Sequence, residues 1–157
     1  CAMYDISDIP HLPKTFKLII LPFWIEVTPE KLKQLETAFP DARKLWYGPA
    51  GLTDGIRWEK QPLDGTFAHD FLDFTVEDLR REAISAGVHM FSDINLPIWA
   101  TDHFLSCHSA ESGVKEFRLK KTVKRIVERF SNKTIAVDTD IFTYPFDGPE
   151  TALFVWE

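Results

Sequence analysis

The chain has 157 residues, 45% hydrophobic and 13% aromatic, so folding can bury about two-thirds of the unfolded surface, and wholesale disorder is excluded. The formal net charge is −6, and no apolar run approaches the roughly 20 residues of a membrane-spanning helix. Cys1 and Cys107, its only cysteines, cannot build a disulfide framework or a four-thiolate zinc site.

One domain over 1–157 is expected, in a reducing, cytoplasmic setting, with no transmembrane segment and no secretory leader. Cys1-Ala2 ahead of Met3 reads as an expression scar. If Cys1 is a genuine mature first residue, it fits the lipid-bearing cysteine of an envelope lipoprotein.

In chain order, TFKLIILPFWIEV (15–27) is apolar on both alternating faces and predicts a buried strand, with Pro22 marking a bulge or edge. Thr28 as N-cap, Pro29 at the first helical position and Leu32, Leu35 and Phe39 at helical spacing predict a short helix stopped by Pro40. Asp54-Gly55, Asp64-Gly65 and Asp147-Gly148 have the composition of tight hairpin turns. They predict a meander of strands near 44–47, 56–62 and 66–74, and a closing hairpin from IFTYPF to TALFVWE.

FWIEVTPEKL (23–32) and DFLDFTVEDL (70–79) align without gaps, which reads as reuse of one capping chemistry at two strand-to-helix junctions. The second junction starts a helix from Val76 to Ala86, ended by Gly87. Strand-like VHMF and LPIWATDHFLSC follow. A third helix is expected from Val114 to Phe130, with Val114, Phe117, Val123, Ile126, Val127 and Phe130 on one side and cations on the other. The fold class is α+β: a mainly antiparallel sheet, meander plus C-terminal hairpin, packed by about three helices.

Four groups of residues carry candidate chemistry. The first is TDHFLSCHS (101–109), which gathers Asp102, His103, Cys107 and His108. On a strand rising about 3.3 Å per residue, His103 and Cys107 stand too far apart for one zinc, and adjacent Cys107 and His108 point to opposite faces. A nucleophilic or metal role needs the segment to leave the strand or to recruit His69, His89 or His11. Without that, Cys107 is a small buried hydrophobe.

The second group is Asp138 and Asp140 at the end of TIAVDTD, an Asp-x-Asp pattern able to hold a divalent cation for phosphoryl or glycosyl transfer. Against it stands a solvated strand face opposite Ile135 and Val137. The third is the basic run, with eight Lys or Arg and only two acids between 115 and 133. Arg118, Lys121, Arg125 and Arg129 fall near one helical line and form its contact row. The fourth is Trp46, Tyr47 and Trp58, aromatics near turns that suit binding anchors.

No phosphate-cradling loop, nucleophile elbow, zinc helix or dinucleotide fingerprint is present. The leading functional expectation is a non-enzymatic domain that binds another protein, in its sharper form a small acidic inhibitor or immunity-type protein neutralising a basic partner, with no cofactor. The alternatives are a metal-dependent hydrolase or transferase using Asp138 and Asp140, and a phosphate or nucleic-acid binder acting through the basic 115–133 segment. Nucleic acid is disfavoured by the acidic remainder of the chain. Partner identity and oligomeric state leave no trace in the sequence.

Overall fold

A computed structural model describes residues 3–22, 24, 26–47 and 75–157. The chain divides into two compact units, Cys1–Val88 and His89–Glu157. The expected strands at 56–62 and 66–74, the turns at Asp54-Gly55 and Asp64-Gly65, and residues His69 and Trp58 lie outside the described residues.

The first unit opens with a 3-10 helix, Ile6–His11, capped by Asp5, whose carboxylate accepts from the Ser7 N–H. Strand β1 (Leu18–Pro22), helix α1 (Pro29–Ala38) and strand β2 (Arg43–Tyr47) follow. Thr28 caps α1 as its composition predicts, accepting from the Lys31 N–H at 3.3 Å. β1 and β2 pair in parallel, from Leu18 opposite Arg43 to Pro22 opposite Tyr47.

Parallel strands need a crossover, which α1 supplies. The 44–47 segment is therefore the second strand of a strand-helix-strand unit and not the start of an antiparallel meander. β1 is half-buried rather than buried on both faces, and Pro22 ends it. Ile9, Leu35, Phe39 and Ala42 form the core here, with Phe16, Ile19 and Leu21 packed against it.

Helix α2 (Val76–Ser85) begins at Thr75, where the Thr75 hydroxyl accepts from the Asp78 N–H and the Asp78 carboxylate accepts from the Thr75 N–H. Thr28 and Thr75 thus share one capping role, as the internal echo suggests. Gly87 follows in the left-handed conformation at φ +73°, which suits a residue without a Cβ. Arg43 on β2 reaches Glu82 on α2 at 2.6 Å, and the Lys17 ammonium donates to the Gly87 carbonyl.

The second unit is one antiparallel sheet in the order β3-β4-β7-β5-β6. Its strands are β3 (Ile98–Ala100), β4 (Phe104–Ser109), β5 (Gly113–Glu128), β6 (Lys133–Phe146) and β7 (Glu150–Trp156). β5 and β6 form a long hairpin whose register slips between Arg118 and Val123, and again between Ile126 and Val127. Beyond the slips, Ile126, Val127 and Glu128 pair edgewise with Trp156, Val155 and Phe154 of β7.

Before them, Phe117 and Phe142 pack their rings against Phe154 at 5.5 and 4.9 Å. One hairpin both extends the sheet and lies across it, because bulges bend strands and increase their twist. Leu105, Cys107, Phe117, Leu119, Ile126, Phe146 and Phe154 fill the space between.

The α+β class holds, with three helices, a small parallel sheet and a mainly antiparallel five-stranded one among the described residues. Two expected details within it are corrected. The segment 114–130 is strand β5 and its turn, not a third helix. IFTYPF and TALFVWE are both strands, but β4 and β5, not β6, flank β7, so they form no hairpin with each other. A two-residue hairpin turn of the kind Asp-Gly favours needs positive φ at the first central residue, and Asp147 does not adopt it.

The turn that closes a hairpin is Arg129–Asn132, where Asn132 takes the left-handed conformation at φ 56°. Glu128 organises it. Only 2% exposed, its carboxylate accepts from the N–H groups of Phe130 at 3.0 Å and Ser131 at 2.7 Å, and more distantly from Leu153 on β7.

Candidate functional site

The 101–109 segment is a tight turn followed by strand β4. Thr101 Oγ1 accepts from the N–H groups of His103 and Phe104, which folds the turn. Within β4, Leu105, Cys107 and Ser109 point inward and His108 outward, as strand alternation demands. Cys107 is fully buried among Leu105, Phe117 and Phe154, and burial pushes its thiol up to about 11, with Lys115 nearby opposing the shift weakly. A thiol so disposed is not a ready nucleophile.

His108 shares a hydrogen bond with the Thr151 hydroxyl at 2.9 Å on the exposed side. His103 lies in the turn, where its carbonyl accepts from the Trp156 N–H. His89 is engaged by the Arg118 carbonyl at 2.9 Å, and His11 closes the 3-10 helix of the first unit. Cys107 and His108 are turned apart, and the sheet brings no imidazole to the thiol.

Asp138 and Asp140 lie on β6. Asp138 is exposed, with φ at 49°, and interrupts the strand; Asp140 is half-buried. Val137 is 59% exposed, so the apolar face expected opposite the pair is not formed there. Among the described residues no group of three or more His, Cys, Asp or Glu comes together as metal ligands do. Trp46 is half-buried in the first unit and stacks on Trp24 at 5.8 Å and 12°. The side chain of Tyr47 lies outside the described residues.

The basic run gives the most extensive surface feature. Spread along a strand and not a helix, its cations do not form one row. Arg118 is held by Asp93 at 2.7 Å and Glu116 at 2.8 Å, and the hydrogen bond from Glu116, then the charge of Asp93, raise its affinity for the proton further. Lys120 faces Asp102 at 3.4 Å, and Arg125 faces Glu157 at 3.3 Å. Lys115, Lys121, Lys124, Arg129 and Lys133 make no ion pair with any described residue.

Two adjoining depressions share Trp156 and Glu157 as walls. The smaller, about 200 Å³, is lined by Arg125, Val127, Arg129, Asn132 and Val155. The larger, about 650 Å³, is lined by Asp102, His103, Lys121, Thr122, Val123 and Lys124. Trp156 is pinned between them, its indole N–H donating to the Asp102 carbonyl at 2.9 Å.

Three of the four predicted contact cations, Lys121, Arg125 and Arg129, reach these walls, and Arg118 does not. Sequence reasoning misses Lys124 and Trp156. Lys124 falls off the helical line assumed for the row, and Trp156 is separated from the basic run by 23 residues of chain after Lys133. Both depressions are open and lined mainly by charged and polar groups, suited to docking an anionic group at the surface more than to enclosing a substrate. No protein-family model, no curated protein and no solved structure matches the chain.

Proposed function

We propose that the chain is a non-enzymatic binding protein whose second unit recognises an acidic segment of another protein through the cationic side of β5 and its turn. The observation that carries this reading is the convergence of Lys121, Lys124, Arg125 and Arg129 on two adjoining depressions around Trp156. The acids there are already engaged, Asp102 by Lys120 and Glu157 by Arg125, which leaves Lys121, Lys124 and Arg129 available to a partner. Half-buried Trp156 offers a flat apolar wall beside these charges, the pairing of aromatic and cation that enriches protein interfaces.

An acidic protein segment fits better than nucleic acid. A phosphate track running past Asp102 and Glu157 meets carboxylates at the same rims, and the chain as a whole carries −6. The reading as an acidic inhibitor of a cationic partner draws on composition alone, and a metal-dependent reaction draws on Asp138 and Asp140 alone. Titration of labelled decaglutamate, followed by fluorescence anisotropy at increasing salt, tests the proposal. Binding that weakens steeply with salt supports it; no binding at low salt removes it.

A further inference from the structure

We infer that the acidic segment binds as an added β-strand, laid in line with the end of β7 against residues Leu119–Thr122 of β5. This rests on the reading above and specifies how the partner is held. The warrant is a gap in the strand register. Arg118 is opposite Ile141 and Val123 is opposite Thr139, so β5 carries Leu119, Lys120, Lys121 and Thr122 with no register partner in β6.

On the other side, β7 pairs only with Ile126–Glu128. The Lys124 N–H donates to the Glu157 carbonyl and the Glu157 N–H to the Arg125 carbonyl, so the line of β7 reaches as far as Lys124. The 650 Å³ depression lies at this end of the line, with the β3–β4 turn at Asp102 and His103 on one wall and Lys121–Lys124 on the other.

Four residues of strand span about 13 Å, so a short extended segment is enough to occupy it. Strand addition takes affinity from main-chain hydrogen bonds and selectivity from alternate side chains. Acidic residues at alternate positions meet Lys121 and Lys124, the two cations of this depression without an ion pair to a described residue.

The long outer edge of β6 is the rival site, and its chemistry opposes an acidic strand. Pro145 lacks an N–H, Asp138 bends out of the ladder at φ 49°, and Asp138 and Asp140 are negative. Thr139 also turns its hydroxyl onto the Ile141 backbone at 2.9 and 3.1 Å.

The test is a titration of the full, ¹⁵N-labelled chain with an octapeptide of alternating Glu and Val, beside the same peptide N-methylated at alternate residues. Expected are amide shifts centred on Leu119–Lys124, Asp102 and His103, slowed exchange at Lys120–Thr122, and at least tenfold weaker binding of the N-methylated peptide. Thr122→Pro should weaken the unmodified peptide similarly while Lys121→Glu/Lys124→Glu weakens both. If Thr122→Pro does not fold, the two peptides on the unaltered chain decide.

Salt-dependent binding that tolerates N-methylation, or shifts that map to β6, overturns strand addition and leaves the proposed function standing. Absence of salt-dependent binding to either peptide removes both.

Discussion

Replacing Glu128 by Gln probes the group that ties the β5–β6 turn to β7. Gln keeps the shape but offers one acceptor oxygen and no charge to the N–H groups of Phe130 and Ser131, which now bond the carboxylate at 3.0 and 2.7 Å. Losing one charge-assisted hydrogen bond at a site only 2% exposed should cost about 1.5–3 kcal/mol, and Ala, which loses both and leaves a void, about 3–5 kcal/mol.

The pH dependence has a definite sign. Burial pushes the Glu128 carboxyl up, but the hydrogen bonds from Ser131, Phe130 and Leu153 together outweigh it and hold the carboxyl below its ordinary value of 4.5. A carboxyl depressed on folding contributes stability that is fully present above its unfolded value and is lost as pH falls through the folded one. Urea denaturation across pH should therefore show a gap between wild type and Glu128→Gln that is flat from neutrality to about pH 5 and closes at lower pH. Equal stability at neutral pH, or a gap unchanged under acid, refutes the reasoning.

Phe154, which touches Phe117, Phe142 and Tyr144 and is fully buried, should cost about 3–5 kcal/mol when truncated to Ala, seen as a lowered denaturation midpoint. In a Cys1→Ser background, Cys107 should resist a thiol reagent at pH 8 until denaturant is added, since its thiol is buried and pushed up to about 11; fast labelling of the folded chain contradicts this. Thr75→Ala should lower stability by about 1 kcal/mol through loss of the N-cap. By NMR titration, the same change should bring the Asp78 carboxyl, held at about 2 chiefly by the Thr75 backbone and hydroxyl, back toward 3.8. Asn132→Gly should change stability by only a few tenths of a kcal/mol, whereas Asn132→Val should cost about 1–2 kcal/mol, because a β-branched residue is strained at φ 56°.

Both α-helices are legible in the sequence because their signals are local: Thr28 and Thr75 cap, Pro29 and Glu77 suit the first turn, and Gly87 ends α2. The run 114–130 misleads because two register slips break the two-residue period of a strand. Phe117 and Leu119 alternate inward, but after the first slip Val123 and Ile126 are buried three apart, a spacing that imitates a helix face. Leu119 carries the contrary signal, since it falls off the assumed helical face yet is 4% exposed. The β-branched Thr122, Val123, Ile126 and Val127 and the Ser131-Asn132 turn point the same way.

Alternation along β4 correctly separates Cys107 from His108, because that strand is regular. The depressions around Trp156 are not legible, because they depend on β7 lying between β4 and β5 while following β6 in the chain. Asp-Gly composition suggests a hairpin there, yet the pairing of β7 with its neighbours is set by long-range packing around Phe154.

The most direct measurement is the affinity of labelled decaglutamate for the wild-type chain and for Lys121→Glu/Lys124→Glu/Arg129→Glu, all exposed positions, at equal low ionic strength. If the cations around Trp156 form the binding surface, the triple reversal should abolish binding, while Lys14→Glu/Lys33→Glu, an exposed pair in the first unit, should leave most of it. Equal loss from both sets, or undiminished binding by the triple variant, contradicts a localised acidic-partner site on β5.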